Sequence, residues 1–141
     1  MKTNYVEEAL AHLKNGISVC PLKLDGSKKP MITWKEFQSR RMSEDEAKGY
    51  FANCGGIFAI TGPISQLFLL DFDTKYDRVN EDTFEKFIFN VPPDLKNKLL
   101  INRTRSGGKH VWARTNYTDK SRKITKRELT LSEFNERIHN L

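Results

Sequence analysis

Two carboxylates one residue apart close an otherwise apolar run, Gln66-Leu67-Phe68-Leu69-Leu70-Asp71-Phe72-Asp73. An apolar run bounded by turn-forming residues reads as a strand buried on both faces. Alternation along such a strand sends Asp71 and Asp73 to one side and Phe72 to the other. Like charges held that close repel each other unless a cation lies between them. Hard divalent cations, Mg²⁺ or Mn²⁺, take oxygen ligands and commonly combine one or two carboxylates with the phosphates of a substrate. The chemistry this suggests is metal-assisted work on a phosphate. The plainer alternative is a solvated Asp pair that ends a strand and starts a turn at Thr74.

A second stretch, Arg103-Thr104-Arg105-Ser106-Gly107-Gly108-Lys109-His110, gathers cationic groups, hydroxyls and glycines within one tight turn. Glycines let a backbone approach a ligand closely and present its N–H groups. Arg105 and Lys109 add positive charge suited to phosphate, and Ser106 a hydroxyl. His110 opens a strand that continues Val111-Trp112-Ala113, so its side chain has a set direction. Taken singly, a histidine or a Gly-Gly turn has an ordinary structural reading. Taken with the Asp pair on a neighbouring strand, the set matches what nucleotidyl transfer requires: metals at the reacting oxygens, cations on the remaining phosphates. Lys28-Lys29-Pro30 is either a solvated basic loop or a further phosphate contact through Lys29 at the mouth of such a site.

The elements that must hold these groups follow from the local patterns. Asn4–Asn15 reads as a helix capped by Asn4 and stopped by Gly16, with Val6, Leu10 and Leu13 as its apolar face. Ile17–Leu24 reads as a strand interrupted near Pro21, hence an edge or a bulge. Trp34–Arg41 is a loop or a short helix. Ser43 and Glu46 form a capping box for a helix running to about Asn53, stopped by Gly55-Gly56. Ile57–Thr61 is a short strand, and Gly62-Pro63 turns it into an antiparallel hairpin with the Asp71 strand. A helix from Asp82 or Thr83 to Asn90 carries Phe84, Phe87 and Ile88 at the spacing of a buried face, and Pro92-Pro93 ends it. Leu99–Thr104 and His110–Arg114 form a hairpin around Gly107-Gly108. The tail from Asn116 holds a basic cluster, Lys120 to Arg127, and a weak helical pattern in Leu129, Leu131, Phe134 and Ile138. The cluster is either a solvated surface or a patch that tracks phosphates.

With 141 residues the chain is long enough for one ordinary domain with a real core. A net charge of +6 favours a polyanionic partner. Cys20 and Cys54 belong to no CxxC or Cys/His cluster, which argues against a zinc site or a disulfide framework and for a reducing, cytoplasmic compartment. No apolar run approaches the length of a membrane span, so no membrane is expected as a partner.

Lys28-Lys29-Pro30, Trp34, Ile60-Thr61-Gly62, Ser65, Leu70-Asp71-Phe72-Asp73 and Thr104-Arg105-Ser106-Gly107-Gly108-Lys109-His110 occur in an order that resembles the N-terminal domain of bifunctional DNA primase–polymerases, of the archaeo-eukaryotic primase superfamily. The resemblance runs over roughly residues 5–115. It implies an α+β fold with an RRM-like mixed or antiparallel sheet flanked by helices. It also implies two divalent metals, Mg²⁺ or Mn²⁺, and template-directed joining of nucleoside triphosphates on single-stranded DNA. Asp71 and Asp73 fall on the family's metal-binding acidic motif, and His110 on its nucleotide-binding histidine, with Ser106 and Lys109 in the same motif. These enzymes are common in phages, plasmids and integrated elements, which implies a bacterial or phage-infected host. A helicase or a further primase segment on another chain is an implied partner. The family's third acidic motif has no matching strand after Arg114. Of Asp119, Glu128, Glu133 and Glu136, Glu128 is the nearest candidate for a third metal ligand. The chain thus resembles a short or truncated member. Two rivals remain open on the same residues: a non-catalytic nucleotide- or nucleic-acid-binding module, and a different metal-dependent enzyme such as a nuclease.

Overall fold

The computed structural model describes residues 4–73 and 82–116. Residues 1–3, 74–81 and 117–141, the last with Glu128 and the basic cluster, lie outside the described residues. The chain divides into two compact units, Met1–Leu67 and Phe68–Leu141.

In the first unit, helix α1 spans Val6–Lys14, and the Asn4 side-chain oxygen accepts the Val6 N–H at 2.9 Å. Gly16, at φ +79°, turns the chain out of the helix. Strand β1 (Ser18–Leu22) pairs antiparallel with β2 (Gly56–Ile60), from Ser18 opposite Ile60 to Leu22 opposite Gly56. Pro21 sits inside β1, and its carbonyl accepts the Met31 N–H at 2.8 Å. A 3-10 turn covers Lys35–Gln38. Helix α2 (Glu44–Phe51) opens on the expected capping box: the Ser43 hydroxyl accepts the Glu46 N–H, and the Glu46 carboxylate accepts the Ser43 N–H. Ala9, Val19, Cys20, Phe37, Ala47, Phe51, Cys54 and Ile60 form its core.

The second unit carries the three-stranded sheet, in the order β3 (Leu67–Phe72), β5 (Lys109–Arg114), β4 (Leu100–Arg103). Helix α3 (Thr83–Asn90) starts at Asp82, whose carboxylate accepts the Glu85 N–H at 2.9 Å. Its aromatics pack as the spacing predicted: Phe87 is buried, and Phe72 meets Phe87 and Phe84 with ring centroids 5.1 and 5.6 Å apart. Val91 and Val111 complete the buried cluster, flanked by Leu70, Ile88, Leu95 and Leu99. A short helix α4 (Pro93–Lys96), with Pro93 in its first turn, follows where the sequence suggested only a stop.

The α+β class stands, with helices and small antiparallel sheets. Two local expectations are corrected. The β2 and β3 strands do not form a hairpin ladder; Gly62 and Leu67 make only an isolated bridge. The reason lies in the loop between them. Buried Ser65 accepts the Ser18 N–H at 2.8 Å and donates to the Ile60 carbonyl at 2.5 Å, tying the loop to the start of β1 and the end of β2 instead of leaving it to close a tight hairpin. Nor is β3 buried on both faces: only Leu67 is buried, and among the described residues β5, not β3, is the middle strand. Helix α3 covers one face of the sheet through Phe72 and Val111, and the other bears polar and half-exposed groups.

Candidate functional site

Alternation along β5 sorts its side chains. Val111 and Ala113 are buried on the helix-covered face, whereas His110 and Trp112 are half-buried on the open one. Along β3, Phe72 turns to the helix and Asp71 to the open face. The two strands are neighbours, so Asp71 and His110 meet: His110 Nε2 lies 3.5 Å from Asp71 Oδ1. The Asp71 side chain is 64% exposed and that of His110 30%, so both remain open to a ligand. Asp73 is half-buried, one residue past the end of β3.

The hairpin that presents His110 is closed by hydrogen bonds from Thr104 N–H to the Gly108 carbonyl at 2.9 Å and from Gly107 N–H to the Thr104 carbonyl at 3.0 Å. Gly107 has φ +93°, the left-handed conformation such a loop needs before re-entering the ladder. Gly108 is required for a different reason. A Cβ there would run into the carbonyl oxygen of Phe72, so the close approach of β5 to the end of β3 depends on a bare backbone. Thr104 and Ser106 hydroxyls lie 3.3 Å apart at the tip, where Arg105 is exposed.

Of the residues expected at the site, Lys109 does not share the face of His110. Lys109, next to His110 in sequence, necessarily projects to the opposite face, and its Nζ sits 5.7 Å from the centroid of the Phe84 ring. Lys29 belongs to the first unit, exposed on the turn that ends at the Leu22–Pro30 bridge. Glu128 lies outside the described residues. Conversely, two residues not singled out from the sequence flank His110. Trp112 packs edge-to-face against its imidazole with centroids 5.6 Å apart, and Trp112 Nε1–H donates to Asn102 Oδ1 at 2.7 Å. The signal was available: Trp112 is two residues beyond His110 on the same strand and must share its face.

The family model for the bifunctional DNA primase/polymerase N-terminal domain matches residues 9–135 of the 141. The chain belongs to this family. The Prim-Pol match extends beyond the motifs read from the sequence and takes in most of the tail. No curated protein and no solved structure matches the chain.

The Prim-Pol fold here brings together an Asp and a His of the expected set, and the donor chemistry can be tested against a metal. Among the described residues no group of three or more His, Cys, Asp and Glu side chains is placed to hold an ion. Asp71 and Asp73 supply hard oxygen donors only. That set fits Mg²⁺ or Mn²⁺ completed by phosphate oxygens, since these ions are commonly held by one or two carboxylates plus substrate.

Proposed function

We propose that the open face of the second unit's sheet is the nucleotide site of a DNA primase/polymerase. It would take nucleoside triphosphates and a single-stranded DNA template in DNA replication, as in a phage, plasmid or integrated element. The observation that carries this reading is the 3.5 Å approach of His110 Nε2 to Asp71 Oδ1, across two strands joined by no local sequence signal. Asp71 and Asp73 would hold Mg²⁺ or Mn²⁺, which when bound neutralises phosphate charge as a Lewis acid. His110 would donate a ring N–H to a phosphate oxygen beside Asp71, whose Oδ1 lies 3.5 Å from its Nε2. The Arg105 guanidinium and Ser106 hydroxyl, at the exposed tip, supply further donors to the phosphates. The primer 3′-hydroxyl would attack the α-phosphate, forming the new O–P bond as the bond to the β-phosphate breaks; its proton passes to solvent and pyrophosphate leaves.

The test is primer extension on a single-stranded template with Mn²⁺. Asp71→Asn and Asp73→Asn should each lower incorporation by at least about 100-fold, as loss of a charge-stabilising group at a reacting centre does. Both proteins should keep a native far-UV spectrum. Undiminished extension by either variant rejects the mechanism. A second reading is a binding module without catalysis, favoured by the lack of a third carboxylate beside Asp71 and His110 among the described residues. Its signature is nucleotide or DNA binding that falls steeply with salt in a protein that incorporates nothing.

A further inference from the structure

The contact between His110 and Asp71 is too long to fix the imidazole by itself: 3.5 Å lies beyond the usual range for an N–H···O bond. A half-exposed histidine on a strand keeps its side-chain rotamers unless a neighbour restricts them. Here the neighbour is Trp112, whose ring plane stands at 87° to the imidazole. The indole is itself tethered, by the 2.7 Å bond from its Nε1–H to Asn102 Oδ1. Asn102 lies directly opposite His110 in the β4–β5 register, and Leu100 opposite Trp112, so the bond runs diagonally across the ladder from the residue that faces the histidine.

We infer that Asn102 and Trp112 are positioning residues: the cross-strand amide–indole bond clamps Trp112 against His110 and so aims Nε2 at the ligand beside Asp71. The inference rests on the nucleotide-site reading above, and no role in phosphate binding is given to either residue. The geometry explains why an exposed edge strand carries an amide at position 102 and why the donor it satisfies is an indole. A phenylalanine would keep an aromatic ring there but, smaller than an indole and lacking its N–H, would leave Asn102 without this donor.

The test is titration of the full chain with dATP in the presence of Mn²⁺, for wild type, Asn102→Ala, Trp112→Phe, the double variant and His110→Ala. Losing one hydrogen bond should weaken dATP binding about 2- to 10-fold in each single variant. The double variant should be no weaker than the worse single one, because both remove the same bond. Two spectroscopic readouts separate aiming from mere support of the sheet. The Trp112 indole N–H resonance, readily told from that of the one other tryptophan, Trp34, should move upfield in Asn102→Ala. The His110 ring ¹⁵N signals should move with it while the remaining amide spectrum stays native. If both single variants bind dATP within twofold of wild type while His110→Ala loses binding, the clamp is refuted and the site survives. If His110→Ala binds as wild type does, the site and the clamp fall together.

Discussion

Asp71, His110 and Gly108 form one geometric problem: two side chains can meet on a sheet face only if their strands come close enough. Gly108 permits this, because any Cβ would strike the Phe72 carbonyl and crowd Thr104 Oγ1 at 3.1 Å. Gly108→Ala should therefore destabilise the protein by about 1–3 kcal/mol, the usual cost of overpacking. It should also weaken nucleotide binding, since the strand that carries His110 must shift; urea unfolding and dATP titration on the same sample measure both. The cysteines have the opposite character. Burial pushes the Cys20 thiol up to about 11, partly offset by a hydrogen bond with the Ile32 backbone, and Cys54 is equally buried. Neither should react with Ellman's reagent at neutral pH in the native protein, and both should react on denaturation. Fast native labelling at either position would contradict the packing of the first unit.

Helix α2 shows how much a short element owes to its first turn. Removing the hydroxyl with Ser43→Ala should cost about 1 kcal/mol of stability, read as a shift in the urea midpoint. Glu46 serves the same cap and also receives Arg40, whose guanidinium bonds Glu36 as well. These bonds, from Arg40 first and the Ser43 N–H next, hold the Glu46 carboxyl down at about 2. A folded value below the unfolded one means the ionised form favours folding. Its contribution is complete above the ordinary value of 4.5 and disappears as pH falls from there towards about 2. Glu46→Gln should accordingly flatten the loss of stability across that interval in acid titrations followed by circular dichroism. In the second unit α3 is joined to the sheet chiefly by Phe87, which is only 2% exposed. Phe87→Ala should cost about 3–5 kcal/mol, and loss of near-UV ellipticity would accompany it.

Taken as a whole, the chain is a basic α+β protein with a net charge of +6, built from two compact units. Among the described residues no helix is long and apolar enough to cross a membrane. Positive charge of this size attracts nucleic acid through counterion release, irrespective of sequence. Binding to single-stranded DNA should weaken with salt along a log–log line whose slope is about −0.7 per phosphate neutralised. Fluorescence anisotropy at several salt concentrations gives that slope directly. A flat response would remove DNA from the list of partners and leave the nucleotide alone.

Much of this could be read in one dimension. The capping box at Ser43, the aromatic face of Phe84 and Phe87, the Gly107-Gly108 hairpin and the Asp71–Phe72 alternation are all set by residues within a turn or two of one another. Local sterics and hydrogen bonding suffice to produce them, and the ordered motifs carried the family with them. Strand partners are another matter. That β2 pairs with β1, and that β5 lies between β3 and β4, is decided by residues distant in sequence, as in the first unit's contact of Ser65 with Ser18, separated by 47 positions. Nothing in the short-range pattern ranks one pairing above another, because each strand edge offers the same backbone donors and acceptors. The same ambiguity grouped Lys109 with His110, although neighbouring residues on a strand face opposite ways. It also passed over Trp112 and Asn102, which acquire their relation to the imidazole only once β4 and β5 are in register.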